Sequence, residues 1–394
     1  MNIIIFEDEH VDTLFPFCIN HASFELKVGL FSNLERVKNF YKNINIILVV
    51  RKEIQDLIKL RYPNNDVNPN VIPKGLYLNG AVVFNKKIEL NNNSNNTLIR
   101  NDRVYYKENN DSINITEIRN FLNKRFDETN LDLPENLNLI SYLWDAINQL
   151  PKQILIDSKE INFKQKFKKE KSTIFVNENN IHINENTIIK SGTILDAESG
   201  PIIIGKNVIV DIGSLIKGPV IIDDNSYIAP GSNIKGNSLI GKNCKVGGEI
   251  TSSVIFANSN KVHDGFLGNS FIGEWVNIGA GTNVSNLKNN YNKIKFDFGD
   301  KTINTNQIFL GSLIGDFTRI GISTMLNTGT YIGLGANIFG GGFQNKSIPS
   351  FSWGKSQIVD FKKFIDTCKK MKSRRKEDLS DTEIIFLKEL YNVL

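Results

Sequence analysis

A single histidine stands in the most unusual stretch of this sequence, residues 260–286. The chain has four histidines, and His263 is the only one among the regular repeats that begin at Ile204. An imidazole titrates near neutral pH and is the usual general base for taking a proton from an amine or a hydroxyl group. The sequence therefore indicates general-base chemistry at His263, with a surface histidine beside an irregularity of the repeat as the alternative.

Two asparagines and one alanine in the same stretch could assist such a base. Asn277 and Asn286 stand nine residues apart, and we expect them on adjacent coils, where their amides would bind a sugar. Asparagine is also common at turns simply because it tolerates positive φ. Ala280 lies between Gly279 and Gly281, so its backbone N–H would be open to an acyl carbonyl and would stabilise a developing oxyanion.

The elements that position these residues follow a six-residue period. Aliphatic residues recur at every sixth position, at Ile204, Val210, Ile216, Ile222, Ile228, Ile234, Ile240 and Val246. This period fits neither an α-helix nor a two-faced strand. It predicts a parallel β-helix, in which three units close one triangular coil and stability comes from stacking the coils. Left-handed winding is what the known hexapeptide fold implies.

The repeat is interrupted twice. After a two-residue slip at 252–253, the inward position is expected at Val254, Asn260, Phe266, Ile272, Ile278 and Val284. The segment 288–307 leaves the period, and the inward position is then expected at Ile308, Ile314, Ile320, Leu326, Ile332 and Ile338. At three units a coil, the repeats predict about six to seven coils.

Composition limits the remaining classes of protein. A chain of 394 residues can hold two domains. It has no apolar run of about 18 residues that would predict a membrane span, and its N-terminus lacks the basic flank of a signal peptide. Three distant cysteines without metal-ligand spacing are typical of a reducing cytoplasm. The net charge of +5 is mild and concentrated at 355–376, so we expect no nucleic-acid binding.

Before residue 151 the pattern is that of an α/β unit. Strands and helices are predicted at 2–6, 33–41, 44–50, 76–84, 117–126 and 137–150, with residues 76–84 forming two strands around a tight turn. A second helical pattern begins at Ile358. We therefore expect an α/β domain over 1–150, a linker over 151–180, the β-helix over 181–350 and a basic helical tail over 351–394.

Residues 200–345 resemble the acetyltransferase half of the bifunctional bacterial enzyme family that makes UDP-N-acetylglucosamine. The resemblance rests on Lys261-x-His263 with Leu267-Gly268 downstream and on the run VNIGAGT at 276–282. A shortened, divergent branch of that family resembles nearly the whole chain. The resemblance implies that His263 is the general base and that the Ala280 N–H polarises the acetyl-CoA thioester. It also implies that the substrate is bound by Asn277, Asn286 and Lys261.

The N-terminal half resembles a shortened sugar nucleotidyltransferase that has lost parts of its site. The first strand is followed by residues 7–9, Glu-Asp-Glu, instead of a glycine-rich loop, and Asn79-Gly80 stands where an Mg²⁺-binding aspartate is expected. Asp8, Lys27 and Asn79 are the candidate residues of a nucleotidyl site, with solvated loop positions as the alternative. No resident metal is expected, and Mg²⁺ would be required only if this half is active.

The resemblance implies a transferase of sugar-nucleotide biosynthesis. Its acyltransferase half would move an acetyl group from acetyl-CoA to an amino-sugar phosphate. Its N-terminal half, if active, would transfer a nucleotidyl group from a nucleoside triphosphate to a sugar 1-phosphate. Relatives are homotrimers with acyl sites between adjacent subunits, so a homotrimer is expected. Two alternatives stay open: a non-catalytic trimeric scaffold or sugar-nucleotide sensor, and a nucleotidyltransferase for another sugar 1-phosphate.

Overall fold

The computed structural model describes residues 2–89, 96–123, 137–161, 163, 167–298 and 301–393. The chain divides into two compact units, one formed by Met1–Tyr142 with Ser380–Leu394 and the other by Leu143–Leu379. The sequence suggested boundaries at 150, 180 and 350 instead. The last helix of the chain therefore belongs to the first unit.

Six strands form one mixed sheet in the first unit. In order across the sheet they are Asp66–Val67, Ile46–Val49, Asn2–Phe6, Gly75–Asn79, Arg103–Asn109 and Thr97–Arg100. The first four run parallel and the last two antiparallel. Asn2–Phe6 lies inside the sheet, and its last four residues are at most 1% exposed. A continuous apolar run is what a strand buried on both faces requires.

Four helices belong to this unit among the described residues: Asn33–Phe40, Gln55–Arg61, Ile118–Asn123 and Asp381–Asn392. Short 3-10 turns lie at Val11–Leu14, Phe17–Ile19, Ser23–Glu25, Lys52–Ile54 and Ile115–Glu117. The helix expected at 33–41 begins with a capping box. The Ser32 hydroxyl accepts from Glu35 N at 3.2 Å, and the Glu35 carboxylate accepts from Ser32 N at 2.7 Å. The part of the expected 117–126 helix beyond Asn123 lies outside the described residues.

The expected hairpin at 76–84 does not form. Gly75–Asn79 is paired on one edge with Asn2–Phe6 and on the other with Arg103–Asn109, so no edge is left for Val82–Phe84. This strand pairs antiparallel with Leu137–Leu139 instead. The expected helix at 137–150 is therefore wrong over its first residues. A further short pair joins Val71–Ile72 to Ile113–Asn114.

The second unit is a parallel β-helix whose strands stack into three faces. Its first face contains Lys168–Lys169, Ile188–Ile189, Ile209–Val210, Tyr227–Ile228, Lys245–Val246, Asn260–Lys261, Asn277–Ile278, Arg319–Ile320, Asn337–Ile338, Ser352–Trp353 and Gln357–Ile358. Its second face contains Ile174–Val176, Ile194–Asp196, Leu215–Lys217, Asn233–Lys235, Glu249–Thr251, Phe266–Gly268, Asn283–Val284 and Met325–Leu326. Its third face contains Ile181–Ile183, Ile202–Ile204, Val220–Ile222, Ser238–Ile240, Val254–Ile255, Phe271–Ile272, Ser312–Ile314, Thr330–Ile332 and Ser347–Ile348.

The aliphatic column read from the sequence fills the interior of these coils. All eight residues from Ile204 to Val246 at six-residue spacing belong to one buried cluster and are at most 2% exposed. Burying each such side chain contributes on the order of 2 kcal/mol. Between Ile204 and Val246 the register advances by 18 residues a coil, as in Ile204↔Ile222 and Val210↔Ile228. With eight stacked strands in its shortest face, the β-helix exceeds the expected six to seven coils.

The expected inward positions after 252–253 are wrong by one residue for three units. The register pairs Ile240 with Ile255, Val246 with Lys261 and Ile250 with Leu267. The inward residues are therefore Ile255, Lys261 and Leu267, and not Val254, Asn260 and Phe266. The cause lies earlier than the expected slip, because the corner at 247–248 has two residues where neighbouring corners have four. Farther on, Ile308 is 46% exposed and lies outside the coils.

Two helices and one insertion complete the second unit. Leu143–Asp157 covers outward residues of the third face near Val220–Ile222, Ser238–Ile240 and Phe271–Ile272, and a 3-10 turn follows at Ser158–Glu160. Another 3-10 turn lies at Glu178–Asn180. The segment that leaves the period forms a hairpin of Lys295–Asp297 with Thr302–Asn304. The tail helix is Phe361–Ser373.

No helix among the described residues combines the length and apolar character needed to cross a membrane.

Candidate functional site

His263 lies on a corner of the β-helix, residues 262–265, between a strand of the first face and a strand of the second. The strands are Asn260–Lys261 and Phe266–Gly268. The side chains of His263 and Asp264 are both exposed. The corner, which we call the His263 corner, therefore presents an imidazole to solvent on a backbone fixed at both ends by stacked strands.

Ala280 occupies the equivalent place one coil later. Asn260 pairs with Asn277 and Leu267 with Val284, both 17 residues apart, and Gly281 N donates to Asp264 O at 3.3 Å. The same offset places Ala280 directly over His263, at the spacing of about 4.8 Å between neighbouring strands. The Ala280 carbonyl accepts from Ser323 N at 2.7 Å. The structure thus brings together the predicted base and the predicted oxyanion donor.

The two asparagines do not lie on adjacent coils, as was expected, but on one coil. Asn277 is exposed on the first face, whereas Asn286 follows Asn283–Val284 at the far end of the second face. The Asn286 amide donates to Asn269 Oδ1 at 2.8 Å. A spacing of nine residues covers one corner and one strand, which is about half of a coil. Within one chain, Asn277 flanks Ala280 and Asn286 is separated from His263 by the width of the second face.

Lys261 has a different environment from the one expected of a substrate contact. Its side chain is 2% exposed and points into the β-helix. Its Nζ donates to Gly247 O at 3.2 Å, His263 O at 2.8 Å and Asp264 O at 3.2 Å. Burial lowers the pKa of this ammonium to about 8, although nearby Asp264 acts in the opposite direction. The inward position was missed because the two-residue corner Gly247-Gly248 was not used to shift the register.

The tail helix reaches the same face. Arg375, two residues beyond Phe361–Ser373, donates from a guanidinium nitrogen to Asn260 Oδ1 at 3.0 Å. The Lys372 ammonium lies 5.8 Å from the centre of the Trp275 ring. Asn260 is the register partner of Asn277, so a tail arginine stands one strand away from a predicted sugar ligand. The basic run in the tail was the signal for this contact, but the sequence alone did not say where the helix packs.

In the first unit, Asp8 and Asn79 are brought together and both are engaged. Asp8 Oδ2 accepts from Asn79 Nδ2 at 2.7 Å and forms an ion pair with Arg103 at 2.7 Å. Asp8 Oδ1 accepts from His10 N at 3.0 Å, and Asn79 Oδ1 accepts from Ala81 N at 2.9 Å. Arg103 was not singled out from the sequence, because nothing in its neighbourhood there points to Asp8.

Lys27 lies in a turn of the same unit. It is half-buried, and its backbone bridges Ser32, immediately before the Asn33–Phe40 helix. The structure prints this backbone role for Lys27 and places it away from the pair formed by Asp8 and Asn79 in the sequence of elements.

These residues do not fit an Mg²⁺ ion. Mg²⁺ requires oxygen ligands in near-octahedral geometry, usually including one or two carboxylates. The Asp8 carboxylate is already held by a guanidinium, an amide and a backbone N–H, and the Asn79 side chain is 1% exposed. A metal would have to displace the Arg103 ion pair to reach Asp8. We therefore derive no metal-dependent step from these residues.

Two family models match the chain. Residues 3–166 match "Sugar nucleotidyl transferase", and residues 201–236 match "Bacterial transferase hexapeptide (six repeats)". The second match falls inside the stacked faces, and the predicted left-handed parallel β-helix is confirmed together with the nucleotidyltransferase-like domain before it.

Curated relatives match over part of their length. The bifunctional sugar-1-phosphate nucleotidylyltransferase/acetyltransferase of Sulfurisphaera tokodaii is 35% identical over 100 residues, which are 25% of this chain and 25% of that protein. The bifunctional protein GlmU of Methanococcus maripaludis is 31% identical over 126 residues, 31% of this chain and 30% of that protein. The chain thus matches between a quarter and a third of the length of these relatives.

Among solved structures, the acetyltransferase domain of PglB from Neisseria gonorrhoeae is 17% identical. The alignment covers 34% of this chain and 57% of that chain, with a TM-score of 0.21, and a likeness of this size carries no argument. The two family matches carry the assignment: the chain joins a sugar nucleotidyl transferase domain to bacterial transferase hexapeptide repeats.

Proposed function

We propose that this protein transfers an acetyl group from acetyl-CoA to the amine of an amino-sugar phosphate, as a step of sugar-nucleotide biosynthesis. The observation that supports this most is the stacking of the His263 corner under Ala280, in the register set by Asn260↔Asn277 and Leu267↔Val284. A general base and an oxyanion donor then lie one strand spacing apart on a rigid scaffold. The names of the curated relatives, which include both transferase activities, agree with this proposal.

The proposed reaction uses two groups of the chain directly. The His263 imidazole accepts the proton from the sugar amine as the nitrogen attacks the thioester carbonyl. The Ala280 N–H donates to the oxygen, on which negative charge develops. The C–N bond forms, the C–S bond breaks, and the CoA thiolate leaves and is protonated by the imidazolium. Asn277, exposed beside Ala280, is placed to hold the sugar.

We further propose a homotrimer in which neighbouring subunits complete each site. One chain keeps Asn286 on the far side of the second face from His263, so a single site that uses both residues needs two chains. The three free cysteines, Cys18, Cys244 and Cys368, are buried thiols, and they suit a reducing compartment such as the cytoplasm. The UDP-N-acetylglucosamine pathway is the one that we propose for the product.

The test is CoA release from acetyl-CoA and glucosamine 1-phosphate by the purified full chain. His263→Ala should lower the rate about 10²- to 10⁴-fold if the imidazole is the base. His182→Ala is the matched control, because His182 is also on the β-helix but in an early coil, on Ile181–Ile183, and it should leave the rate unchanged. A His263→Ala variant with the wild-type rate would refute the assignment.

A second candidate, a trimeric scaffold or sugar-nucleotide sensor, is favoured by the state of the first unit. The carboxylate of Asp8 is used by Arg103 and Asn79, which leaves none of the candidate nucleotidyl residues clearly available for a metal. Pyrophosphate release with UTP, Mg²⁺ and N-acetylglucosamine 1-phosphate tests the nucleotidyltransferase half separately. Pyrophosphate without CoA release would favour a nucleotidyltransferase, and neither product would favour the scaffold.

A further inference from the structure

We propose that Lys261 is a positioning residue that fixes the His263 corner from inside the β-helix. The inference rests on the proposed role of His263 for its catalytic consequence. Its structural content stands on three contacts from one ammonium group. The acceptors are Gly247 O in the coil below and His263 O and Asp264 O in the corner itself.

Regular corners between the first and second faces are held by a buried hydroxyl. The residue just before each second-face strand is Thr193, Ser214, Ser232, Thr282 or Thr324, and all five are at 0% exposure. Ser214 donates to Asp211 O at 2.8 Å and to Ala229 O at 3.1 Å, so one hydroxyl ties a corner to the next coil. Thr282 donates to Gly321 O at 3.1 Å in the same way. These hydroxyls satisfy carbonyls that are shielded from water.

Two consecutive corners have no such hydroxyl. The equivalent residues are Gly248 in the two-residue corner and Gly265 in the His263 corner. Neither position accepts a side chain. Gly248 has φ +76°, and a Cβ there would lie 2.8 Å from His263 O; Gly265 has φ +110°, and its Cβ would overlap Thr282 O. A serine or threonine is therefore excluded by the backbone at both places.

The donors that these corners lack come from Lys261. It stands at an inward position, where the other coils of the first face carry aliphatic residues such as Val246 and Ile278. Its ammonium has three N–H donors, and it makes three contacts with carbonyls at 3.2 Å or less. One cation thus replaces two hydroxyls and binds the carbonyl of the proposed base. The shortened corner and the inward lysine form one device.

The first test compares Lys261→Met with Lys245→Met by amide hydrogen exchange of the full-length protein. Lys245 is the matched control, because it is an exposed lysine on the neighbouring strand of the same face. In Lys261→Met the amides of 262–265 should exchange at least about tenfold faster, and those of the regular corner 229–232 should be unchanged. Lys245→Met should leave both corners unchanged. Equal protection of 262–265 in both variants would overturn the proposal.

Kinetics separate positioning from substrate binding. A displaced His263 should lower the kcat of CoA release about tenfold or more with KM for glucosamine 1-phosphate little changed. A rise in KM with unchanged kcat and unchanged exchange would show that Lys261 contacts the substrate, and it would overturn the proposal. If the wild type releases no CoA, the proposed function fails while the exchange experiment still decides the role of Lys261.

Chemical labelling of the wild type covers the case in which Lys261→Met does not fold. Acetic anhydride should modify Lys261 at least about tenfold more slowly than Lys245, as read by peptide mass spectrometry, because its ammonium is enclosed. Glucosamine 1-phosphate should leave the labelling of Lys261 unchanged. Labelling at the rate of Lys245, or protection only with the sugar phosphate, would contradict an interior position.

Discussion

At the scale of residues, the site depends on a charge placed where apolar side chains are the rule. Lys261 lies in line with Val246 and Ile278 in the β-helix interior. Burial without a carboxylate partner disfavours the charged form of a lysine, and the pKa of Lys261 is accordingly lowered to about 8. The cost of keeping the cation is tolerated because three carbonyls would otherwise lack donors. This coupling makes the stability of the β-helix sensitive to alkaline pH.

The free energy of unfolding of the wild type should rise, relative to Lys261→Met, between pH 8 and pH 10.5. In this window the unfolded lysine, with its ordinary pKa of 10.5, still holds a proton that the folded one has released. Stability rises with pH wherever the unfolded state binds more protons. The full difference is at most about 3 kcal/mol, from roughly 1.36 kcal/mol for each pKa unit. Urea unfolding at several pH values measures it.

Below pH 8 the lysine is protonated in both states, so the difference between wild type and variant should be constant there. A difference that stays flat up to pH 10.5, or that falls, would contradict a buried ammonium with a lowered pKa. Lys245→Met, which removes an exposed lysine of the neighbouring strand, should follow the wild type over the whole range.

At the scale of elements, corner length sets which residues face inward. Corners of four residues keep the 18-residue coil, while the corner at 247–248 shortens its coil and moves every later inward position. A short corner brings successive coils into close contact at backbone level. The close approach at Gly248 is the structural cost of the arrangement that places Lys261 under His263.

Gly248→Ala should therefore destabilise the protein more than Gly213→Ala does. Both glycines lie on corners between the first and second faces and have positive φ, +76° and +67°. A Cβ at Gly213 meets nothing within 4 Å, whereas one at Gly248 lies 2.8 Å from His263 O. Gly213→Ala should cost about 1 kcal/mol for the left-handed conformation, and Gly248→Ala clearly more. Denaturant unfolding of both variants provides the comparison, and equal losses would show that the close approach is unimportant.

Packing between elements also explains two unusual turns. Trp275 and Phe317 adopt positive φ, each +59°, where earlier coils place asparagines such as Asn225 and Asn243. Their rings stack with centroids 6.4 Å apart, and Phe364 of the tail helix meets Phe317 edge-on. The aromatic contacts that dock the tail helix compensate for a backbone conformation that bulky residues seldom adopt. The same docking carries Arg375 to Asn260.

At the scale of the whole molecule, the proposed site is shared between subunits. Light scattering after gel filtration at physiological salt should give three times 44.5 kDa, about 134 kDa. The physical reason is the separation of Asn286 from His263 within one coil, which a second subunit would have to bridge. A clean monomer at micromolar concentration would contradict both the trimer and a site that uses the two residues together.

The six-residue period determined the β-helix and its interior from Ile204 to Val246. It could do so because the facing of a residue in a coil depends only on its position within a short, local unit. The same period located the interruption that carries His263. Local patterns likewise determined the Asn2–Phe6 strand, whose continuous apolar run requires burial on both faces, and the capped helix that begins at Asn33.

Only the tertiary structure decided the remaining features, because they depend on partners distant in the chain. An error of one residue in a corner is carried into every later unit, so the inward side of Lys261 follows from stacking against Val246 and not from its neighbours in sequence. Val82–Phe84 pairs with Leu137–Leu139 because the nearer strand has no free edge. Arg103 takes the Asp8 carboxylate from 95 residues away. Stacking and edge availability are non-local, and they decided which candidate residues meet.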